Sequence, residues 1–511
     1  MTTRTSSELP AWFEGLHEAR LVSGAPADAS GVHHDSRTVT ESAVFVAIPG
    51  LTADGNTFIP AAIARGARFV VVQENLRDVW QPYVNEDVAF VAVPDARIAL
   101  AQAAAGFYGH PARSMGVIGV TGTDGKTTTT HLAAHVLNAA GQRAGYLSSV
   151  EFGVGGHAEL NASHMTTLEA TEVQRHLARI RDASGRYAVV EASSIGLDLH
   201  RVDQCEFDVG VFTNLAPDHL DYHGSMGAYR DAKALLFRML GESVEKGVGR
   251  AAILNADDPA SEEIARVTTV PVITYGLDRR ANLTAHDITR DGWGTRFTAR
   301  MFGEAVEGYM RLLGEYNVAN GLAAVAAAVS QNVAFTDAVY ALQSFVGVPG
   351  RMELIDEGQP FRVVVDIAST EQAMRNVLRM LAELTSGRIV VVFGAAGERD
   401  PARRRGIARA VAEVAEFAVI TNEDPRTEDP EIIVDEIASS LKAKGWTEGR
   451  KFVRELDRRQ AIGLAFKRAE RDDTVLLAGK GTEPSIVIGN THWPWDERRI
   501  ARELLRDSLD V

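Results

Sequence analysis

The stretch that decides the fold is residues 117–128, which read VIGVTGTDGKTT. An apolar run leads into a glycine-rich turn and then into a helix-like segment, which predicts a strand, a loop and a helix in that order. Two glycines allow the backbone to approach phosphate oxygens closely, and successive N–H groups at a helix N-terminus attract anions. The stretch therefore predicts a site for a nucleotide triphosphate.

The loop differs from the common P-loop pattern, in which a glycine stands five residues before the glycine of Gly-Lys. Val120 occupies that position here, so the loop is a tighter version of the pattern. We expect Lys126 to reach the β- and γ-phosphates and the Thr127 hydroxyl to touch Mg²⁺. The alternative, a plain glycine turn with an exposed lysine, is disfavoured by the strand before it and the helix after it. The predicted ATP contacts of the loop are Gly122, Thr123, Asp124, Gly125, Lys126, Thr127 and Thr128.

The chain has 511 residues, too many for a single hydrophobic core. Short apolar, β-branched runs alternate with helical patterns almost throughout, which is typical of an α/β fold with mainly parallel sheets. His110-Pro111 ends one helical pattern, and the run 346–351 places Gly and Pro between two patterned regions. We therefore predict three domains, at residues 1–112, 113–348 and 349–511.

Composition excludes several classes of protein. A net charge of −15 disfavours a general binder of nucleic acid or membrane surfaces. The one cysteine, Cys205, excludes a disulfide framework and a cysteine zinc site within one chain. Residues 1–21 lack the apolar segment of a signal peptide, and no apolar run approaches the roughly 20 residues that cross a bilayer. We expect a cytoplasmic, monomeric enzyme without nucleic-acid partners or membrane insertion.

The run TGTDGKTT, residues 121–128, resembles the TGTNGKT loop of the Mur ligase family, whose members form amide bonds with ATP during peptidoglycan assembly. The resemblance extends over nearly the whole chain and looks closest to the MurE branch, which adds the third amino acid to UDP-N-acetylmuramoyl-L-alanyl-D-glutamate. It implies an α/β fold of three domains: an N-terminal UDP-binding domain, a central P-loop ATPase-type domain with a parallel sheet, and a C-terminal Rossmann-like domain that binds the amino acid.

Two further motifs resemble the family's magnesium site. Glu191 ends the apolar run YAVVE, where an acid suits Mg²⁺, and EASSIGL (191–197) resembles EVSSHGL. FTNLAPDHLDYHG (212–224) resembles a pattern of the MurE branch, in which His219 would bind a second magnesium ion. Lys233 would be carbamylated, so that its side chain becomes an oxygen ligand. The alternative for Glu191, a solvated glutamate at a strand end, is disfavoured by the stretch itself, whereas Lys233 without the resemblance is an ordinary helix lysine. The implied catalytic residues are Lys126, Glu191, His219 and Lys233, and the implied metal ligands are Thr127, Glu191, His219 and carbamylated Lys233.

Three more segments resemble the ATP contacts of the family. Asn317 and Asn320 in GEYNVAN (314–320) lie three residues apart on one helical face and would contact the adenine edge. Arg351 in a Pro-Gly-Arg motif would reach ATP, and Asp366 in VVVDIAST (363–370) would hold the ribose. Without the resemblance, helix caps and a strand-end turn account for both asparagines and the aspartate.

Several motifs resemble substrate contacts. HDSR (34–37) resembles the DSR motif that contacts the uridine diphosphate, and TTLE (166–169) resembles TTPE. NEDPR (422–426) resembles the amino-acid-recognition motif DNPR, and GKGTE (479–483) resembles GKGHE. The implied substrate contacts are Ser36, Thr166, Thr167, Ser193, Arg201, Asp424, Arg426, Gly479 and Glu483.

The chain departs from the family pattern mainly around the acceptor and the incoming amino acid, whereas the phosphate, magnesium and adenine motifs are nearly complete. A histidine or polar residue of the family is replaced at five positions, Asn56, Ile195, Leu199, Ser369 and Thr482. Two interpretations follow. The pocket has drifted within the same activity, or the enzyme ligates a different acceptor or amino acid.

The resemblance implies that ATP phosphorylates the D-Glu γ-carboxylate and that the amino group of the incoming amino acid attacks the acyl phosphate. Arg426 favours meso-diaminopimelate, because arginine pairs with a second carboxylate, whereas Asp424 suits the side-chain ammonium of lysine or ornithine. We favour diaminopimelate slightly. The alternatives are a related folylpolyglutamate- or cyanophycin-like ligase, which the DSR motif disfavours, and an ATP-binding paralogue that has lost ligation.

Overall fold

In a computed structural model the chain forms two compact units, Met1–Phe345 and Val346–Val511. The structure describes residues 10, 13, 15–25, 27–50, 53–163, 165–278 and 280–509. The prediction that residues 1–21 lack a signal peptide falls partly on residues outside these ranges. The division into three domains stays a prediction.

The first sheet of unit one has five strands. They are Arg20–Ser23 (β1), Val32–His33 (β2), Val44–Val46 (β3), Phe69–Gln73 (β4) and Ala89–Val93 (β5). Their order is β1-β5-β4-β3-β2, and only β1 is antiparallel to its neighbour. The accompanying helices are Ile59–Ala64 (α1), Arg77–Trp80 (α2) and Ala96–Phe107 (α3). Hydrophobic clusters cover both faces of this sheet, as the apolar strands require.

The second sheet of unit one has eleven strands. They are Gly116–Thr121 (β6), Ala144–Leu147 (β7), Glu151–Val154 (β8), His157–Leu160 (β9), Tyr187–Glu191 (β10), Val209–Phe212 (β11), Ala251–Asn255 (β12), Val272–Gly276 (β13), Leu283–Asp291 (β14), Gly294–Met301 (β15) and Glu304–Met310 (β16). The helices are Lys126–Ala139 (α4), Ala170–Asp182 (α5), Ser194–Asp198 (α6), Leu220–His223 (α7), Met226–Met239 (α8), Ala260–Val267 (α9), Glu315–Val329 (α10) and Phe335–Ala341 (α11).

The centre of this sheet is parallel, with the order β13-β12-β11-β6-β10-β7. Strands β6, β10 and β11 are buried along their whole length, because helices cover both faces of a parallel sheet. In the register, Glu191 pairs with Val120, and Phe212 pairs with Thr121. The carboxyl ends of the three strands therefore meet at one edge, where ligands bind in open α/β sheets.

Unit two carries a second parallel sheet. Its strands and a separate hairpin are Glu353–Ile355 (β17), Arg362–Asp366 (β18), Ile389–Phe393 (β19), Phe417–Ile420 (β20), Phe452–Arg454 (β21), Thr474–Ala478 (β22), Ser485–Ile488 (β23) and Thr491–Pro494 (β24). The helices are Glu371–Leu384 (α12), Pro401–Val414 (α13), Pro430–Ala443 (α14), Arg458–Arg468 (α15) and Glu497–Leu509 (α16). The order is β17-β18-β22-β19-β20-β21, with only β17 antiparallel, and β23 and β24 form the hairpin.

The predicted α/β fold with mainly parallel sheets is confirmed. The antiparallel pairings at both edges of the large sheet, β7–β8–β9 and β14–β15–β16, were not predicted from sequence. Strands β15 and β16 largely alternate more and less buried residues, as expected where one face meets the core. Among the described residues, no helix has both the length and the apolar character needed to cross a membrane.

Candidate active site

The phosphate loop joins β6 to α4 and requires both of its glycines. Gly122 has φ +148° and Gly125 has φ +82°, which is the left-handed region that favours glycine. A Cβ on Gly122 would lie 1.9 Å from Thr213 Oγ1, and one on Gly125 would lie 2.3 Å from Asn320 Oδ1. Both positions thus need a residue that adopts a positive φ and that has no Cβ, so that the loop can pack against its neighbours.

The segment after β11 holds the loop in place. The Thr123 N–H donates to the Asn214 carbonyl at 2.8 Å, and the Asp124 N–H donates to Asn214 Oδ1 at 2.9 Å. The Asp124 carbonyl accepts from the Thr213 hydroxyl at 2.6 Å and from the Asn214 amide at 3.0 Å. The Thr-Asn pair of the FTNL motif therefore shapes the phosphate loop, which sequence reasoning did not assign to it.

Lys126 begins α4 and lies over the loop. Its Nζ donates to the Thr123 carbonyl at 2.7 Å and to the Gly122 carbonyl at 3.2 Å. The ammonium and the N-terminus of a helix of 14 residues place positive charge at the same point. This arrangement suits an anionic ligand such as a triphosphate.

Thr127 and Glu191 form a buried pair at the edge of the sheet. The Thr127 hydroxyl lies 3.1 and 3.2 Å from the two carboxylate oxygens of Glu191, which is 2% exposed. Ser149 completes the group, since its N–H donates to Glu191 Oε2 at 2.8 Å and its hydroxyl lies 2.9 Å from Thr127 Oγ1. Hard oxygen atoms from three residues are the donor set that Mg²⁺ prefers, so these residues fit the ion.

Lys233 is buried without a carboxylate. It is 1% exposed, its Nζ donates to the Gly122 carbonyl at 2.7 Å, and the ammonium lies 4.2 Å from the centre of the Tyr229 ring. Burial, reinforced by the charge of Lys126, lowers the pKa of Lys233 to about 6, against smaller opposing effects of Asp218 and Asp124. The Lys233 amine, directly beneath the phosphate loop, is therefore mostly uncharged near neutral pH.

His219 lies on the exposed side of this region. It precedes α7 with φ +51°, and its Nε2 is 3.3 Å from Asp218 Oδ2. Its ring and Lys233 both neighbour Tyr229, whose ring centre is 6.5 Å from that of His219. Among the described residues, no three His, Cys, Asp or Glu side chains form a metal cluster, and the second magnesium site and the carbamate of Lys233 stay predictions.

Asn317 and Asn320 are buried in the first turns of α10 and support the loop. Asn320 Oδ1 accepts from the Thr129 hydroxyl at 3.3 Å, and Asn320 Nδ2 donates to Asn317 Oδ1 at 3.2 Å. Asn317 Nδ2 donates to the Leu313 carbonyl at 2.9 Å. The expected contact of both amides with adenine stays a prediction, and the observed contacts are with the protein itself.

Three of the predicted acceptor contacts form one connected group beside Glu191. The Thr167 hydroxyl donates to the Glu191 carbonyl at 3.0 Å and lies 3.0 Å from the hydroxyl of Ser193, which caps α6. Arg201 donates to the Thr167 carbonyl at 3.2 Å and pairs with Glu169 at 2.7 Å. Thr166 is half-buried next to this group.

The replaced positions of unit one comprise a neighbouring pair, Ile195 and Leu199, and Asn56. Ile195 and Leu199 are half-buried in and directly after α6. Asn56 is fully buried and donates to Asp54 Oδ1 at 2.7 Å, while its own Oδ1 has no hydrogen-bond partner in the described residues. Ser36, in the DSR motif, is buried in the first sheet region.

In unit two, Asp366 ends β18 and organises the turn before β17. Its carboxylate accepts the N–H groups of Met352 and Ala368, each at 2.8 Å. Burial raises the pKa of Asp366, against the lowering effects of those bonds and of Arg351. Arg351 itself is exposed, and Ser369 accepts from Arg403 at 2.6 Å.

The motifs NEDPR and GKGTE meet at the carboxyl ends of β20 and β22. Lys480 is fully buried and donates to Asp424 Oδ1 at 2.9 Å and to Glu483 Oε2 at 2.5 Å. Gly479, with φ +103°, packs against Glu423, whose Oε2 would lie 2.9 Å from a Cβ there. The structure thus brings together three predicted substrate contacts, Asp424, Gly479 and Glu483.

Arg426 lies at the rim of the same region. It has φ +54°, is about one-third exposed at its side chain, and lies 3.9 Å from Glu398. Its backbone N–H donates to the Val487 carbonyl at 3.0 Å, which ties the loop to the hairpin. Its guanidinium is therefore available for a carboxylate ligand. Half-buried Thr482 lies between Lys480 and Glu483.

Besides Thr213 and Asn214, sequence reasoning missed Ser149 and Lys480. Ser149, in the turn after β7, carried no motif that pointed to the Thr127–Glu191 pair. Lys480 stood inside the quoted GKGTE motif without an assigned role, and the structure shows it buried between two carboxylates.

Comparisons with known proteins agree with this geometry. Residues 28–108 match the model described as the Mur ligase family, catalytic domain; residues 120–328 match the Mur ligase middle domain; and residues 350–481 match the Mur ligase, glutamate ligase domain. A UDP-N-acetylmuramyl-tripeptide synthetase of Roseiflexus sp. is 41% identical, covering 94% of this chain and 95% of that protein.

A UDP-N-acetylmuramoyl-L-alanyl-D-glutamate–2,6-diaminopimelate ligase of Halalkalibacterium halodurans is 36% identical, covering 98% of this chain and 99% of that protein. A solved structure of a ligase with the same substrate name superposes with a TM-score of 0.65 at 29% identity, covering 94% of this chain and 95% of that one. The predicted resemblance is confirmed: the chain belongs to the Mur ligase family.

Proposed function

We propose that the chain is an ATP-dependent ligase that adds a diamino acid to the D-Glu γ-carboxylate of UDP-N-acetylmuramoyl-L-Ala-D-Glu, in peptidoglycan precursor synthesis. The observation that carries the proposal is the position of the Thr167–Ser193–Arg201 group next to the Thr127–Glu191 pair, at the edge that bears the phosphate loop. An acceptor carboxylate held there would lie beside the γ-phosphate. The relatives named for tripeptide synthesis support the same substrate.

The phosphate loop performs the first step. Lys126 and the α4 N-terminus neutralise the triphosphate, and the acceptor γ-carboxylate attacks the γ-phosphorus, so that ADP leaves and an acyl phosphate forms. Mg²⁺ would be held by Thr127 and Glu191, and it would neutralise the crowded phosphate oxygens when bound. Ser149 would fix the orientation of the Glu191 carboxylate through its N–H.

Lys233 would supply further oxygen ligands as a carbamate. The reaction joins the amine nitrogen to the carbon of CO₂ and releases one proton, and only the uncharged amine carries the electron pair that this bond needs. Its pKa of about 6 leaves most of the amine uncharged at pH 7. His219, exposed on the same side of Tyr229, would share the second magnesium ion with this carbamate.

The second step forms the amide. The uncharged amino group of the incoming amino acid attacks the acyl carbon, and the tetrahedral intermediate expels phosphate. Arg426 would pair with a carboxylate of the amino acid, and Asp424 and Glu483 would receive an ammonium group. These contacts suit diaminopimelate, which offers both groups at its far end; lysine and ornithine offer only the ammonium.

The competing possibility is a family member with a different acceptor or amino acid. This possibility is supported by the five positions at which the chain differs from the family pattern, Asn56, Ile195, Leu199, Ser369 and Thr482. Of these, Ile195 and Leu199 bring apolar side chains to α6, beside the Ser193 that would contact the acceptor.

A product-mass experiment tests the proposal. The purified protein is supplied with ATP, Mg²⁺ and UDP-N-acetylmuramoyl-L-Ala-D-Glu, together with diaminopimelate, lysine or ornithine in separate reactions. We expect a product that is heavier by one amino-acid residue, with diaminopimelate preferred. No added mass with any of the three amino acids would overturn the proposal, and a product with another acceptor would establish the competing possibility.

A further inference from the structure

Lys480 is a fully buried lysine at the carboxyl end of β22, one residue after Gly479. Lysine is rarely buried completely unless it is paired, because moving an ammonium out of water is costly even after the surrounding protein has relaxed. Here the pairing is with two carboxylates, Asp424 at 2.9 Å and Glu483 at 2.5 Å. The two acids come from different loops, so this single ammonium joins them.

The geometry leaves one oxygen of each acid free. Lys480 binds Asp424 Oδ1, which also accepts the Val487 N–H at 2.9 Å, and it binds Glu483 Oε2. Within the described part of the chain, Asp424 Oδ2 and Glu483 Oε1 accept no hydrogen bond. The side chain of Asp424 is 13% exposed and that of Glu483 is 26% exposed, so both acids reach the surface of the loops.

The charges around Lys480 do not balance. Glu423 is also buried there, and its Oε2 has no hydrogen-bond partner among the described residues. Burial raises the pKa of Glu423 to about 7, although Lys480 and Arg458 oppose the rise. The ammonium of Lys480 thus faces the two carboxylates of Asp424 and Glu483, and their surplus negative charge attracts a cationic group from outside.

Arg458 fixes the two strand ends that carry these acids. It is paired with Glu497 at 2.5 Å with both side chains fully buried. It donates to the Asn422 carbonyl at 3.1 Å and to the Ala478 carbonyl at 2.8 Å. Because the backbone is held in this way, the remaining freedom of Asp424 and Glu483 is in their side chains, which Lys480 restrains.

We propose that Lys480 is a positioning residue for the incoming amino acid: its ammonium orients Asp424 and Glu483 so that their free oxygens together receive an ammonium group of that substrate. The inference rests on the proposed function, which places an amino acid at these loops. Lys480 itself does not touch the reacting atoms. Its removal should therefore weaken amino-acid binding much more than ATP binding.

The test compares the variants K480M and K480R with the unmodified protein. Methionine keeps most of the side-chain volume but removes the charge, whereas arginine keeps the charge. The measurements are the KM values for ATP and for diaminopimelate, kcat, and the Kd of diaminopimelate by calorimetry with ADP and Mg²⁺ present. The calorimetric Kd needs no turnover, so it distinguishes failure of this inference from failure of the proposed ligation.

We expect K480M to raise the KM and Kd for the amino acid by about 30-fold or more, since one partner of a buried ion pair has been removed. The KM for ATP should change less than about threefold, and K480R should recover about half of the loss on a logarithmic scale. An unchanged amino-acid Kd in K480M would overturn the inference. So would an equal rise in both KM values, or a K480R variant as weak as K480M.

The chain offers a matched control in K246M. Lys246 forms a buried ion pair with Asp208 at 2.7 Å, with both side chains 2% exposed. Asp208 also accepts the Val117 N–H at the amino end of β6, which is the edge opposite to the phosphate loop. K246M should lower the melting temperature while the amino-acid Kd stays unchanged. If K246M weakens the amino acid as much as K480M does, the effect is general destabilisation and the inference is wrong.

Discussion

Each unit contains a buried lysine, Lys233 in α8 and Lys480 after β22, and the two lysines differ in their partners. Lys233 is 1% exposed and donates to a backbone carbonyl, with an aromatic ring as its other neighbour. Lys480 is 0% exposed and pairs with two carboxylates. The first environment destabilises the charged form, whereas the second supplies counter-charges to it.

This difference separates two functions of the same side chain. An uncharged amine is a nucleophile and can react with CO₂, so the environment of Lys233 suits covalent modification of the lysine to a carbamate. A paired ammonium is a fixed support, so Lys480 suits a site where other groups must be oriented. We therefore expect changes near Lys233 to act on the chemical step, seen in kcat, and changes near Lys480 to act on binding of the amino acid, seen in KM.

The largest effect is expected for Lys126→Ala. The variant removes the full charge that neutralises the transferring phosphate, so kcat should fall by roughly 10³-fold, as for the loss of a principal electrostatic contact. The KM for the amino acid should stay nearly the same. Steady-state phosphate release measures both quantities, and a variant with normal kcat would remove the phosphate loop from the mechanism.

Lys233→Ala should lower kcat by roughly 10²-fold, since the proposed carbamate could not form and its metal-binding oxygens would be lost. In the unmodified protein, labelling by isotopically enriched bicarbonate should be visible by carbon NMR and absent in the variant. Because the folded pKa is about 6, the amine is uncharged above that pH and protonated below it. Labelling should therefore decline as the pH falls through 6. Normal turnover in Lys233→Ala would contradict the carbamate assignment.

Ser149→Ala should raise the Mg²⁺ concentration for half-maximal activity by about tenfold, because outer-shell partners of metal ligands contribute factors of about 10 to 100. The expected cause is a freer Thr127–Glu191 pair, although the Ser149 N–H remains. A magnesium titration of phosphate release measures the shift. Ser243→Ala, which changes a buried serine of unit one outside the candidate site, serves as the control and should leave the magnesium requirement unchanged.

The smallest effect concerns the stability of the phosphate loop. Gly125→Ala should lower the free energy of unfolding by about 1 kcal/mol more than Gly141→Ala does. Both glycines have positive φ, +82° and +76°, but only the Cβ at position 125 meets another residue, Asn320, while position 141 is open. Urea unfolding of both variants measures the difference. Equal losses would mean that Asn320 does not constrain the loop.

The sequence predicted the parallel α/β core because local patterns determine it: β6, the loop and α4 are adjacent in the chain. Glu191 could be placed beside the loop for the same reason, since parallel strands end at one edge. The environment of Lys233 could not be predicted without the resemblance, because its burial depends on Tyr229 and on a loop 111 positions earlier. Ser149 and Lys480 depend on contacts across 42 and 56 positions, for which the local sequence holds no pattern.

The proposed ligation is tested most directly by measuring phosphate release from ATP in four parallel reactions. These contain acceptor and amino acid together, each alone, and neither. The acceptor is UDP-N-acetylmuramoyl-L-Ala-D-Glu and the amino acid is diaminopimelate. We expect sustained release only when both are present, because the amine consumes the acyl phosphate. Release that is equal with and without the amino acid, or no release in any reaction, would contradict the proposed ligation.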